Sequence, residues 1–174
     1  ISPRMRELLA KKASRANSYQ VVAHVANDTD KYHELVEIVK ENSQPYSEKA
    51  AWAINHCFEN GTGFFDDYFE DFAQILADSD YSDSIKRNVV RIFQFKEIPL
   101  NLQGSVINSC FHLLQKKETA IAVKAFSMGV LENMVKLYPE LKNELVVSIK
   151  DILPTASAGI KNRGHRILNR LNSN

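Results

Sequence analysis

Apolar residues return along this chain at steps of three and four. Phe65, Phe69, Phe72 and Leu76 do so, as do Leu141, Leu145, Ile149 and Ile152, and each set lines one face of a helix. No comparable stretch alternates with period two, so the whole chain is expected to be helical. Breaks fall at Ser43-Gln44-Pro45, Gly61-Thr62-Gly63, Pro99, Pro139 and Pro154, where proline fixes φ or glycine lacks the Cβ that suits a helix interior. Ser47, Ser82 and Ser157 stand where N-caps are expected. The stretch AVKAFSMGVLENMVKLYPELKNEL, 122–145, reads as two helices broken at Tyr138-Pro139, the first apolar over most of its circumference. Such a helix needs neighbours on several sides.

Those neighbours are copies of the same unit. Shifted by 38 positions, Ile54 falls on Ile92 and Val130, and Trp52 on Val90 and Met128. Likewise Leu35 falls on Ala73, Phe111 and Ile149, and Ile38 on Leu76, Leu114 and Ile152; a step of 37 carries Val130 onto Ile167. A two-helix unit of this size cannot bury its apolar surface alone, so successive units stack and share a core. Period, pairing and the proline at the inter-helix turn resemble the HEAT and armadillo superfamily of α-solenoids. The resemblance implies an all-α fold, a right-handed α-α superhelix of about four two-helix repeats plus a C-terminal half repeat. On that reading one domain covers 1–174, with an atypical N-terminal cap at 1–27, stacked repeats at 28–153 and a capping helix at 154–174. The first helix of the first unit fits the register poorly, which is why 1–27 is set apart as a cap.

Charge changes the picture more than composition does. The formal net charge is +1, but Arg4, Arg6, Lys11, Lys12 and Arg15 crowd the first fifteen residues against one acid, Glu7. Eight carboxylates and no Lys or Arg lie between Glu59 and Asp83. The last twenty residues hold Lys161, Arg163, Arg166 and Arg170 and no acid. The segment FFDDYFEDF, 64–72, places Asp66, Asp67, Glu70 and Asp71 between aromatics. With Phe65, Phe69 and Phe72 facing the core, these acids are expected on the polar flank of a helix, where like charges four apart repel by a few tenths of a kcal/mol. A solvated face carries that cost easily, and a recognition patch for a basic partner is the second reading.

The C-terminal helix sets Arg163, Arg166 and Arg170 along a ridge beside Ile160, Gly164, Ile167 and Leu171, with Lys161 at its start. Lys86, Arg87 and Arg91 form a similar group, and Arg91 shares a repeat position with Arg166. A line of guanidinium forks across units can hold phosphates; it can equally cap and solubilise the last unit. Trp52 occupies an apolar repeat position and is expected in the core. The histidines, His24, His33, His56, His112 and His165, form no pair spaced for one helix face, and no metal or other cofactor is expected. Cys57 and Cys110 sit in apolar helical patterns, as free thiols that pack as small hydrophobes do. No apolar run reaches the roughly 18–20 residues that span a bilayer, and no signal-peptide centre follows Ile1, so a cytoplasmic protein is expected. The chain begins at Ile1 rather than Met, and its first residues carry little of the reading.

No G-x-S-x-G, Walker or dinucleotide motif occurs, and the six glycines are scattered. The S-S-x-M-P-x-K-x-N loop of the fumarase and aspartase lyases is also missing. The expectation is a non-enzymatic scaffold that binds a protein partner the sequence does not name. The alternative is a nucleic-acid-binding protein similar in architecture to the HEAT-like alkylpurine DNA glycosylases, whose site residues find no match here.

Overall fold

The computed structural model describes residues 1–173, which form ten α-helices and no strand. In order they are α1 (Pro3–Ala10), α2 (Arg15–Val25), α3 (Thr29–Glu41), α4 (Tyr46–Glu59), α5 (Phe69–Ala77), α6 (Asp83–Phe93), α7 (Leu100–Gln115), α8 (Ile121–Leu137), α9 (Lys142–Ile152) and α10 (Ala158–Asn172). Short 3-10 turns cover Phe65–Tyr68, Pro139–Leu141 and Leu153–Thr155. Asn174, the end of the expected capping helix, lies outside the described residues. Two compact bodies are defined, Ile1–Ile92 and Phe93–Asn174.

The repeat positions are buried positions. Ile54, Ile92, Val130 and Ile167 are all in the core, as are Leu35, Ala73, Phe111 and Ile149. Trp52 departs from its set: Val90 and Met128 are fully buried, whereas Trp52 is half-exposed, with its ring 5.0 Å from that of His56.

In the first body α2 packs against α3 and α4, and α1 against α2 and α4. The four buried residues of α2, Ser18, Val21, Val22 and Val25, match Ala50, Ala53, Ile54 and Cys57 of α4 at a step of 32 rather than 38. The difference lies in the connections. Three residues, 26–28, join α2 to α3, whereas nine, 60–68, join α4 to α5. A short turn therefore displaces the helix by six positions and hides it from a 38-residue comparison. That turn runs from Val25 to Asp28, with the Asp28 N–H donating to the Val25 carbonyl at 2.9 Å. Ala26 takes φ 44 and ψ −121 there, a conformation close to the second residue of a type II′ turn, where glycine is preferred. Asp28 then caps α3 by accepting from the N–H groups of Asp30 and Lys31.

Serine caps open two further helices, α6 and α10. Ser82 accepts from the Ile85 N–H, and Ser157 from that of Ile160. Ser47 does not cap. It is buried inside α4, accepts from the Ser43 N–H at 2.7 Å and donates to the Ile38 carbonyl at 2.6 Å, fastening the α3–α4 turn. Lys49 reaches back from α4 to the carbonyls of Leu9 and Lys11, at 3.1 and 2.6 Å, and so satisfies the C-terminal end of α1.

In the second body α8 is covered by α7, α9 and α10. Val123, Met128, Val130, Leu131, Met134 and Val135 are buried around it, as a helix apolar on many sides requires. α10 contributes Ile160, Ile167, Leu168 and Leu171 to that core and turns its charged residues outward.

Candidate functional site

The acidic segment is not one helix. Phe65–Tyr68 forms a 3-10 turn and α5 begins at Phe69. The aromatics cause this arrangement: Phe65 stacks on Phe72 with centroids 4.5 Å apart and meets Phe69 edge-on at 5.3 Å. With all three rings buried, Asp66, Asp67 and Glu70 are left exposed. Asp71 is half-buried and bonds Lys40 of α3 at 2.9 Å, while Lys40 also meets Glu37 at 3.1 Å. These hydrogen bonds raise the Lys40 pKa. The Tyr68 hydroxyl lies 3.1 Å from His33 Nδ1. Burial raises its pKa first, followed by the charges of Asp67, Asp71, Glu37 and Asp30. The acidic surface thus includes Asp30 and Glu37 of α3, which sequence reading missed. Their signal was present in the repeat, since the 38-residue shift lays His33 on Asp71 and so sets α3 beside α5.

The basic residues are mostly engaged. Lys86 is only 6% exposed. Arg91 donates to Asn55 at 2.9 Å and pairs with Glu59 at 3.3 Å, and Arg15 reaches the same carboxylate at 3.8 Å. Arg170 holds Glu132 with two parallel bonds, from Nε at 2.7 Å and Nη2 at 2.9 Å. Arg163 donates to the Gln94 side chain at 2.7 Å and sits 5.9 Å from the Phe126 ring centroid, with its pKa lowered by burial and then by Arg166. Arg87, Lys161 and Arg166 are exposed. Most of these polar contacts join one first helix to the next. Ser18 meets His56 at 2.6 Å between α2 and α4, Asn55 meets Arg91 between α4 and α6, and Glu132 meets Arg170 between α8 and α10. Arg91 and Arg170 thus tie one repeat to its neighbour, whereas Arg166, at the repeat position of Arg91, does not.

Gly129 makes room for one of these ties. A Cβ there would lie 2.5 Å from Gln94 Oε1 and 2.7 Å from Arg163 Nη2. The Gln94 carbonyl also accepts from Asn133 at 2.9 Å.

Exposed apolar side chains gather in the second body. Phe95 is 61% exposed, Leu100 79% and Leu137 58%. Gln103, one turn along from Leu100, accepts from the Tyr138 hydroxyl, and its amide donates to the Ile98 carbonyl at 2.9 Å. The turns at 94–99 and 138–141 are thereby joined on one edge. Beside the second turn lies a groove of about 770 Å³, bordered by Glu132, Val135 and Lys136 of α8, Pro139, Lys142, and Arg170 and Leu171 of α10.

Both cysteines are free and buried, and burial pushes the Cys57 thiol up to about 11 and the Cys110 thiol to about 12. Neither supplies a thiolate at neutral pH. Among the described residues no cluster of His, Cys, Asp or Glu is disposed to hold a metal ion, and no helix is long and apolar enough to cross a membrane.

Two-helix units of one period, sharing buried positions and tied across neighbouring first helices, define an α-helical repeat protein. A family model of the HEAT repeat domain matches residues 5–171, and the chain belongs to that family. HEAT repeats form helical scaffolds, commonly for protein interaction. No curated protein and no solved structure matches the chain.

Proposed function

We propose that the protein is a non-enzymatic scaffold that binds another protein on its repeat surface. The observation that carries this reading is that Leu100 and Leu137 of the second body project into solvent, near turns joined by the Tyr138–Gln103 bond, and that the same body carries the groove beside Pro139. A chain that buries most of its apolar repeat positions exposes such side chains where another surface covers them. The chemistry of the acidic patch agrees. Acid–base catalysis needs two carboxyls in different environments, whereas Asp66, Asp67 and Glu70 share one solvent-exposed setting and Asp71 is held by Lys40. The two buried thiols suit a reducing, cytoplasmic location.

Nucleic-acid binding is the weaker reading. Phosphate recognition needs guanidinium forks directed outward, and Arg91, Arg163 and Arg170 are bonded to Asn55, Glu59, Gln94 and Glu132. Arg87, Lys161 and Arg166 are what that reading has left. The test is affinity capture from native lysate with the protein as bait, with and without nuclease. A partner that survives nuclease is the expected result. Recovery that collapses with nuclease, joined to duplex affinity that falls steeply with salt, transfers the function to phosphate binding. Turnover of any substrate by the pure protein removes the scaffold reading.

A further inference from the structure

We propose that the recess between the α1–α2 connection and α4 seats an acidic side chain of a peptide partner, with a neighbouring aromatic side chain of that partner lying on Trp52. The inference rests on the scaffold reading and adds a contact surface of stated chemistry on the first body. Trp52 borders the recess together with Lys11, Lys12 and Lys49, and no carboxylate among the described residues does. Lys49 bonds the Leu9 and Lys11 carbonyls and Lys11 bonds the Gln20 side chain, all through neutral oxygens. Those bonds fix the ammonium groups in place and leave their charge uncancelled. Lys12 is exposed.

Trp52 gives the recess an apolar wall that its repeat equivalents do not offer. Val90 and Met128 are fully buried at the same repeat position, whereas Trp52 is half-exposed. Its ring is set in advance. It meets the His56 ring at 5.0 Å, and that ring stacks on Tyr19 at 4.8 Å and bonds the Ser18 hydroxyl at 2.6 Å. A tryptophan held in one pose loses little freedom when a partner covers it, which suits it to anchor an interface. The recess measures about 20 Å³, room for one water-sized group such as a carboxylate oxygen. Glu48 and Glu59 lie four positions before and seven after Trp52, on the same face of α4. Glu48 accepts from Ser82, and Glu59 is paired with Arg15 and Arg91. The positive charge is therefore local, with acids beyond it along the helix. A nucleic-acid strand, charged at every residue, meets those acids on leaving the recess. A peptide with one acid beside an aromatic residue does not.

The test uses Trp52 itself, the single tryptophan of the chain, whose fluorescence reports on this surface. The full-length chain is titrated with a capped Gly-Ser peptide carrying one Glu-Phe pair, with its Gln-Phe and Glu-Ser counterparts, and with oligothymidylate. A saturable emission change with the Glu-Phe peptide is expected, with each counterpart peptide at least about tenfold weaker. Lys12→Glu should weaken the Glu-Phe peptide by at least about tenfold while keeping the parent melting curve, and Lys12→Gln, which adds no charge, should fall between the two. No saturable change up to millimolar peptide overturns the proposal, as do equal binding of the Gln-Phe peptide and unchanged binding by both Lys12 variants. Tighter binding of oligothymidylate overturns it too and makes the recess a phosphate site. Lysate capture repeated with Lys12→Glu separates the two proposals. A nuclease-resistant partner retained in full by the variant leaves the scaffold and removes the recess; no such partner with either protein removes the scaffold itself.

Discussion

Gly129 shows how one missing Cβ decides between two local preferences. Glycine inside a helix costs about 1 kcal/mol against alanine, so Gly129→Ala alone would be expected to stabilise α8. The new methyl would, however, displace the Gln94–Arg163 bond, and a hydrogen bond to a charged group is worth about 1.5–3 kcal/mol. The net expectation is a loss of about 1 kcal/mol in chemical denaturation. In an Arg163→Met background, where no bond remains to displace, the same change should reverse sign and stabilise. Ala26 offers the opposite case. At φ 44 in the Val25–Asp28 turn it occupies a conformation that suits glycine, and Ala26→Gly should raise stability by about 1 kcal/mol. His56 carries a pH dependence. Burial lowers its pKa from 6.5, with Glu59 opposing and Arg15 and Arg91 reinforcing the shift. The unfolded chain therefore binds the proton more readily, and stability falls as pH drops below about 6.5. His56→Gln, which can still bond Ser18, should lose less stability than the parent between pH 7.5 and 5.5 in urea melts. None of these roles is readable in sequence, because Gly129, Gln94 and Arg163 meet only after repeats stack.

Among the helices, what sequence resolved and what it missed have separate physical causes. Repeat positions such as Ile54, Ile92, Val130 and Ile167 were legible because burial imposes apolar residues at a fixed period. α2 was not, because its three-residue connection to α3 shifts its buried set to a step of 32. The helix assumed across 64–72 failed for another reason. Apolar spacing alone does not distinguish a 3-10 turn from an α-turn, and the ring packing of Phe65 against Phe72 selects the tighter form. The half-exposed Trp52 shows the limit of transferring a position between repeats, since its equivalents Val90 and Met128 are wholly covered. The attachment of α1 also depends on a contact distant in sequence. Lys49 bonds the Leu9 and Lys11 carbonyls, and Lys49→Met should leave them without that donor. A loss of about 1–3 kcal/mol is expected, read as faster amide exchange over residues 3–10, with exchange in α7 and α8 unchanged.

For the molecule as a whole, the charge blocks were plain in the sequence, but their partners were not. The acids at 66–71 gain Asp30 and Glu37 from α3, and Arg91, Arg163 and Arg170 bond side chains of other repeats while Arg166 stays exposed. α10 closes the second body chemically as well as sterically. It brings four large apolar side chains to the core, about 2 kcal/mol each when buried, against a total stability of order 5–15 kcal/mol for a domain. A chain ending at Pro154 should therefore lose amide protection throughout α7, α8 and α9 and aggregate on gel filtration. The Arg163–Gln94 bond adds a property that simple repeat arrays lack. Its partners are 69 residues apart, whereas the first-helix ties span 36–38. Energy in an array coupled only to nearest neighbours fades one repeat at a time, so its terminal unit frays alone. A bond that passes over the intervening repeat couples α10 to the α6–α7 turn, so fraying of the last helix should loosen that turn as well, read as amide exchange rising together over 94–99 and 158–172.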